Sequence, residues 1–299
     1  YALLRLRFVL VALVTVIGIA AYLPYAITAV YISEVSLVLA MLYLVSFGLL
    51  GGLAAYRTER FTRDLFLRER QVEQERTRSD GLLLNMLPEA IVERLKTSSG
   101  GRIAQSFDRV SVFFADAVGS TEQAARSSPE AFADALDELF RHFDAIADRH
   151  GLEKIKTIGD AYMAVAGAPT PMADHADAAV AMAVDILTDA GKIKWPSGDP
   201  IVVRGGIATG PAVAGVIGVQ RFAYDLWGDT VNLASRLETS AAPGRFLVSE
   251  STIGELRDRY DFGPPEILEV RGKGPTTVRV LLGRHSNVPI TVPLASEVE

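Results

Sequence analysis

Apolar and polar positions follow three different patterns in turn along the chain. No charged residue lies between Arg7 and Glu34, and none between Glu34 and Arg57. Each run exceeds the roughly 20 apolar residues that carry a helix across a bilayer, which predicts two transmembrane helices over about 8–30 and 35–56. A cleaved signal peptide is the rival for the first run, but its apolar core would be only about 7 to 15 residues long. Residues 57–80, RTERFTRDLFLRERQVEQERTRSD, are then dense in charge with no Pro or Gly, and Glu59/Arg63 and Asp64/Arg68 stand at the favourable i, i+4 spacing. This predicts a helix leaving the membrane. A heptad seam through Phe61, Leu65, Arg68, Val72, Glu75, Ser79, Leu82 and Met86 is interrupted by three polar residues, a weak signature for a short coiled coil.

The third pattern begins after LLLNMLPEAIVERLK, which Pro88 interrupts, and the linker-like TSSGG. RVSVFFADAV is a nearly continuous apolar run of strand length, as expected for a strand covered on both faces. SSPEAFADALDELFRHFDAIADRHG predicts an amphipathic helix, with Ser127 and Glu130 in capping-box spacing, Pro129 in the first turn and Gly151 past the end. A hairpin over 153–166, a helix from Pro171, strands over 201–208 and 213–218, a helix over 229–239 and short strands near 245 and 277 follow. That order predicts an α+β sandwich, a sheet with helices packed on one face. The predicted organisation is a membrane anchor over 1–56, a linking helix over 57–101, an α+β domain over 102–285 and a tail over 286–299.

Charge adds an orientation. Arg5 and Arg7 precede the first apolar run and Arg57, Arg60 and Arg63 follow the second, while the YISEV turn has no Lys or Arg. Both ends are therefore expected in the cytoplasm, giving a multi-pass protein of the cell membrane with its α+β domain inside. Because the chain starts at Tyr1, it is expected to be a fragment from which earlier spans are missing. Gly48 and Gly52 have the spacing for close approach of membrane helices, either between copies or against the neighbouring span. The 299 residues include no cysteine, which excludes disulfides and thiolate chemistry, and the net charge of −6 gives no support for nucleic-acid binding.

Chemistry concentrates in the third segment. Asp116 ends the buried strand and is followed by Gly119, Ser120 and Thr121, a pattern suited to a divalent metal and its phosphates. A turn-capping role accounts for Asp116 equally well. Asp160 also follows a glycine at the edge of an apolar strand, and two carboxylates on adjacent strand ends suit a two-metal site. GGIATGPAVAGVIG leads from strand to strand rather than into a helix, and GxxxxGK[ST] is absent, so neither a dinucleotide fingerprint nor a P-loop is present. His142, His150, His175 and His285 show no ligand spacing.

FADAVGST, EKIKTIGDAYMAVAG, DLWGDTVNLASRLE and VRGKG together resemble, in order and approximate spacing, the class III nucleotidyl cyclases, over about 107–283. With the membrane anchor, the resemblance is to bacterial, mycobacterial-type homodimeric adenylate cyclases. It implies a ferredoxin-like catalytic domain converting ATP to 3′,5′-cyclic AMP and pyrophosphate. It assigns two Mg²⁺ or Mn²⁺ ions to Asp116 and Asp160, purine selection to Lys156 and Asp225, ribose orientation to Asn232, stabilisation of α-phosphate charge to Arg236, and triphosphate binding to Lys273. Adenine presents an acceptor at N1 and a donor at N6, which a lysine and a carboxylate complement. Guanylate cyclases resemble the pattern with Glu and Cys at these two places. Arg221 is a weaker match because Gln220 precedes it where the family often has a second basic residue. The resemblance further implies two domains paired head to tail, each site taking its metal aspartates from one chain and Lys156, Asp225, Asn232 and Arg236 from the other. A guanylate cyclase, or a membrane receptor whose cyclase-like domain only binds nucleotide, are the alternatives.

Overall fold

The computed structural model describes residues 13–24, 27, 34–84, 86–97, 103–189, 191–218, 222–256, 258–270 and 273–285. It divides into two compact units, 1–82 and 83–299.

In the first unit, α1 spans Leu13–Pro24 and α2 spans Glu34–Leu84. The expected second span and the charged helix after it are thus one continuous helix of 51 residues. Among the described residues α2 alone is long and apolar enough to cross a membrane, with a window of mean hydropathy 2.1. The expected span over 8–30 falls partly outside the described residues, as do Arg5 and Arg7. A Cβ on Gly48 would stand 2.4 Å from Thr15 Cγ2, so this glycine serves close packing of α2 on α1.

The second unit contains α3 (Glu89–Thr97), β1 (Ala104–Ala117), α4 (Ser120–Arg126), α5 (Pro129–His150), β2 (Glu153–Ile158), β3 (Ala161–Ala166) and α6 (His175–Asp189). They are followed by β4 (Val203–Ile217), β5 (Ala223–Trp227), α7 (Asp229–Ser240), β6 (Phe246–Ser249), α8 (Glu250–Ile253), β7 (Tyr260–Phe262), β8 (Glu266–Val270) and β9 (Gly274–Arg284). The sheet order is β2-β3-β1-β4-β6-β9-β7, with β5 paired to β4 and β8 to β9. Its first half, β1-α5-β2-β3-α6-β4 in the spatial order β2-β3-β1-β4, is the ferredoxin-like arrangement.

Successive residues of β1 point to opposite faces, and both faces are covered. Phe113, Ala115 and Ala117 join the core under α5 and α6, with Phe143, Ile146, Tyr162 and Met182. Val112 and Phe114 join a second core with Ile91 of α3 and Leu233 and Leu237 of α7. The expectation of helices on one face alone is corrected by this second layer. The α5 cap is also shifted by one residue: Ser128, next to Pro129, is the N-cap and its side chain accepts from the Ala131 N–H, while Gly151 closes the helix at φ 72 as expected. The helix expected from Pro171 begins at His175, and the two strands expected over 201–218 are the single strand β4.

Candidate functional site

The site is assembled by strand register. Asp116, near the end of β1, lies opposite Ala161 of β3 on one side and Arg204 of β4 on the other. Ile158 pairs with Ala161, so Gly159 and Asp160 form a two-residue turn, with Gly159 at φ 66; such a turn favours glycine at its first position. Asp160 is therefore delivered beside Asp116. The Ser120 hydroxyl at the start of α4 donates to Asp160 Oδ2. Gly119 adopts φ 78 as the residue before α4, and Thr121 is exposed in the helix's first turn, where backbone N–H groups have no intrahelical acceptor.

Arg204 and Glu238 complete this corner and were not among the residues singled out in the sequence. Arg204 donates to Asp116 Oδ2 from Nη2 at 2.9 Å and from Nε at 3.2 Å. Its Nε also lies 3.2 Å from Glu238 Oε1 on α7, within ion-pair distance, yet that oxygen is buried and lacks an aligned hydrogen-bond donor among the described residues. The detectable signal was an arginine inside the apolar run IVVRGGIA, since such a charge is rarely buried without a partner. Burial, then the charge of Asp160, push the Asp116 carboxyl above its usual range, and Arg204 only partly opposes this. Burial, then Asp116, likewise raise Glu238.

Asp116 and Glu238 share one guanidinium and Asp160 stands beside Asp116, a corner rich in negative charge that a divalent cation would relieve. Among the described residues no cluster of three or more His, Cys, Asp or Glu side chains has the arrangement to hold a metal by itself. The pair Asp116 and Asp160 nevertheless suits Mg²⁺, which characteristically takes one or two carboxylates and completes its shell with water and substrate phosphates.

A second pair forms across a large sequence interval. Lys156 Nζ on β2 lies 2.5 Å from Asp225 Oδ2 on β5, and Asp225 Oδ1 accepts from the Leu226 N–H. Lys156 aligns with Met163, whose neighbour on β1 is Phe114, so it stands on the same sheet face as Asp116. On α7, Leu233, Ala234 and Leu237 face the sheet while Asn232 is exposed and Arg236 half-buried. Lys273 is exposed between β8 and β9. Among the described residues these last three side chains have no hydrogen-bond or ion-pair partner. The structure thus brings together Asp116 with Asp160 and Lys156 with Asp225, and leaves Asn232, Arg236 and Lys273 available to a ligand or a second chain. Arg221 lies outside the described residues.

The profile of the adenylate and guanylate cyclase catalytic domain matches residues 103–283. An adenylate cyclase of Mycobacterium tuberculosis is 44% identical over 74% of this chain and 50% of its own length, so the chain spans about half of that relative. Human retinal guanylyl cyclase 1 is 39% identical over 76% of the chain and 21% of its own length. Among solved structures, the catalytic core of a rhodopsin-guanylyl cyclase with converted specificity, in complex with ATPαS, is similar with a TM-score of 0.58 and 39% identity over 60% of this chain and 98% of that one. A family match over most of the α+β unit, on a fold whose register gathers the aspartates at one strand end, leads to one conclusion: the chain belongs to the class III adenylate and guanylate cyclases.

Proposed function

We propose that this protein is a membrane-anchored adenylate cyclase that forms 3′,5′-cyclic AMP and pyrophosphate from ATP at sites shared between two copies of the chain. The observation that carries the choice of purine is the Lys156–Asp225 pair, 2.5 Å apart though 69 positions apart in sequence. A lysine donor and a carboxylate acceptor complement adenine N1 and N6. The similarity to mycobacterial adenylate cyclases supports the same reading.

The ribose 3′-hydroxyl releases its proton to solvent as its oxygen attacks the α-phosphorus, and the bond from that phosphorus to the pyrophosphate oxygen breaks. Asp116 and Asp160 would hold two divalent cations, Mg²⁺ or Mn²⁺, which when bound supply Lewis-acid activation of the hydroxyl and neutralise phosphate charge. Ser120 orients Asp160 through its hydroxyl, and Arg204 holds Asp116 in place. Asn232 orients the ribose, Arg236 stabilises the charge that grows on the α-phosphate, and Lys273 binds the triphosphate with the first turn after Gly119. Asn232, Arg236 and Lys273 have no partner among the described residues, which supports their completing a site whose carboxylates come from a second copy. The apolar half of α2 would anchor the chain, with the run over 8–30 as a second crossing and the catalytic unit in the cytoplasm.

Cyclic nucleotide formation by Asp116→Ala and Lys156→Ala proteins, each alone and mixed, tests this reading with ATP and with GTP. Each variant alone should be inactive. Random pairing of equal amounts should restore about one quarter of wild-type cyclic AMP synthesis, since half the dimers hold one intact site of two. Failure of the mixture to recover refutes the shared site, and preferential use of GTP by the wild type refutes the purine assignment.

A further inference from the structure

Glu238 is 6% exposed, and a glutamate is almost never buried to that extent without a partner. Gly206 of β4 permits its position, since an added Cβ there would collide with the Glu238 backbone nitrogen. The Thr239 hydroxyl donates to Glu238 Oε2 at 3.2 Å. Oε1 is enclosed and has no aligned donor among the described residues, although Arg204 Nε stands 3.2 Å away.

Arg204 directs its hydrogens elsewhere. Nε and Nη2 both donate to Asp116 Oδ2, at 3.2 and 2.9 Å. Nη1 donates to the Thr239 carbonyl at 3.4 Å, near the end of α7, where carbonyls lack helical donors. Nε carries a single hydrogen, so Asp116 and Glu238 compete for it, and at 3.2 Å it is equally near both oxygens. Passing that hydrogen bond from one carboxylate to the other needs a reorientation of the guanidinium, not a displacement of the chain. A divalent cation on Asp116 would compete with Arg204 for the same carboxylate, because each brings positive charge to it.

We propose that Glu238 is a positioning residue for the metal carboxylate. When a divalent cation binds Asp116, Glu238 accepts the Arg204 Nε–H and draws the guanidinium off Asp116, which raises the affinity of the site for the cation. This rests on the assignment of a cation to Asp116. Glu238 touches neither cation nor nucleotide; its enclosed oxygen has to meet only Arg204, which is already its neighbour.

Mn²⁺ is the probe. The full chain in nanodiscs of neutral lipid is unfolded by heat at increasing Mn²⁺, followed by the fluorescence of Trp195 and Trp227, both in the catalytic unit. A cation that binds the folded form raises Tm, so the half-saturating concentration of that rise reads binding without turnover. Asp116→Ala sets the baseline. Glu238→Gln should half-saturate at about tenfold higher Mn²⁺, because a bond to a charged acceptor becomes a bond to a neutral one. The Mn²⁺ dependence of cyclic AMP synthesis should shift in the same direction. In an Arg204→Met background the same change should alter half-saturation by less than about twofold. An undiminished effect in that background overturns the proposal, since Glu238 would then act on the cation directly. Wild-type half-saturation in Glu238→Gln, with the rise still abolished in Asp116→Ala, overturns the proposal alone and leaves the cation assignment standing. A wild type that behaves as Asp116→Ala does defeats both together. Should Glu238→Gln fail to fold, Glu238→Asp keeps the charge at shorter reach and should raise half-saturation by a smaller factor; a wild-type value there is equally fatal.

Discussion

Gly206 of β4 is where packing and chemistry meet. A Cβ built there would lie 2.3 Å from the Ala234 carbonyl oxygen, 2.4 Å from the Glu238 nitrogen and 2.7 Å from Leu237 Cβ. Two of these atoms are backbone of α7, so no side-chain rotation can clear the space. Restoring an ordinary separation of 3.4 Å from 2.3 Å requires α7 to move outward by about 1 Å. Overpacking of this kind costs about 1 to 3 kcal/mol, which in a unit of this size corresponds to roughly 2 to 12 °C in Tm. The same movement carries Asn232 and Arg236, and a displacement of about 1 Å in positioning groups can lower kcat by about a hundredfold. Gly205→Ala is the comparison, because its Cβ would meet the Phe246 ring at 2.0 Å and the Phe114 oxygen at 2.6 Å. It should destabilise without pushing directly on α7. Thermal unfolding followed by fluorescence of Trp195 and Trp227, with cyclic AMP production measured well below each Tm, separates the two effects. If Gly206→Ala lowers Tm but keeps wild-type kcat, the argument that α7 is positioned by this contact is wrong.

Three further outcomes follow from the same structure. Arg204→Ala leaves Asp116 and Glu238 without their shared cation and should cost about 2 kcal/mol, less than a fully buried pair because Arg204 is 30% exposed; chemical denaturation checks this, and excess Mg²⁺ should restore part of the loss. The Asp116 carboxyl is raised from 3.8 in the fold, so its contribution to stability is greatest below pH 3.8 and is lost as pH rises through the folded value. Adding Mg²⁺ should consequently raise Tm more at pH 7 than at pH 4, and equal shifts at both would refute metal binding at this carboxylate. His175 behaves in the opposite sense. Burial, partly opposed by Glu255, lowers its pKa from 6.5, with Arg109 reinforcing the shift and Asp174 opposing it, so its contribution is full above pH 6.5 and is lost as pH falls below it. Stability curves between pH 8 and pH 5 should flatten in His175→Gln, and a wild-type slope in that variant would assign the effect to another group.

The parts of the fold legible in the sequence are those whose pattern is set locally. The β1 run is apolar because both faces are covered, and α5 carries its own stripe, its proline and its terminal glycine. SSPE offers two adjacent serines, and the choice between them depends on which one Pro129 follows directly. Gly210-Pro211 resembles a turn, yet β4 runs through it. Gly210 lies where a Cβ would meet the Thr230 hydroxyl at 2.7 Å, and Val110, its partner on β1, stands at the register shift after Phe107, the kind of irregularity that accommodates a nearby proline. The five-residue β5 was not legible as a strand in FAYDLWGD, because its identity comes from pairing with the far half of β4.

The candidate site divides along the same line. Asp116 and Asp160 could be picked out as carboxylates at strand ends, but their adjacency depends on the register that sets Ala161 opposite Asp116. Arg204 acquires its role from the opposite neighbour in that row, so nothing within VVRGG could identify its partner. Lys156 and Asp225 are more distant still, joined only because β5 folds back from β4 toward β2. Within the chain the two charges neutralise each other. Under the proposed assignment a purine would compete with this ion pair for both groups, and Lys156 is 41% exposed, so the competition would take place partly in water, where such a pair contributes little. The pair can therefore bridge β2 and β5 without a large penalty for nucleotide binding. Charge complementarity between the two groups explains their pairing, and under the proposed adenine assignment the same donor and acceptor would match N1 and N6.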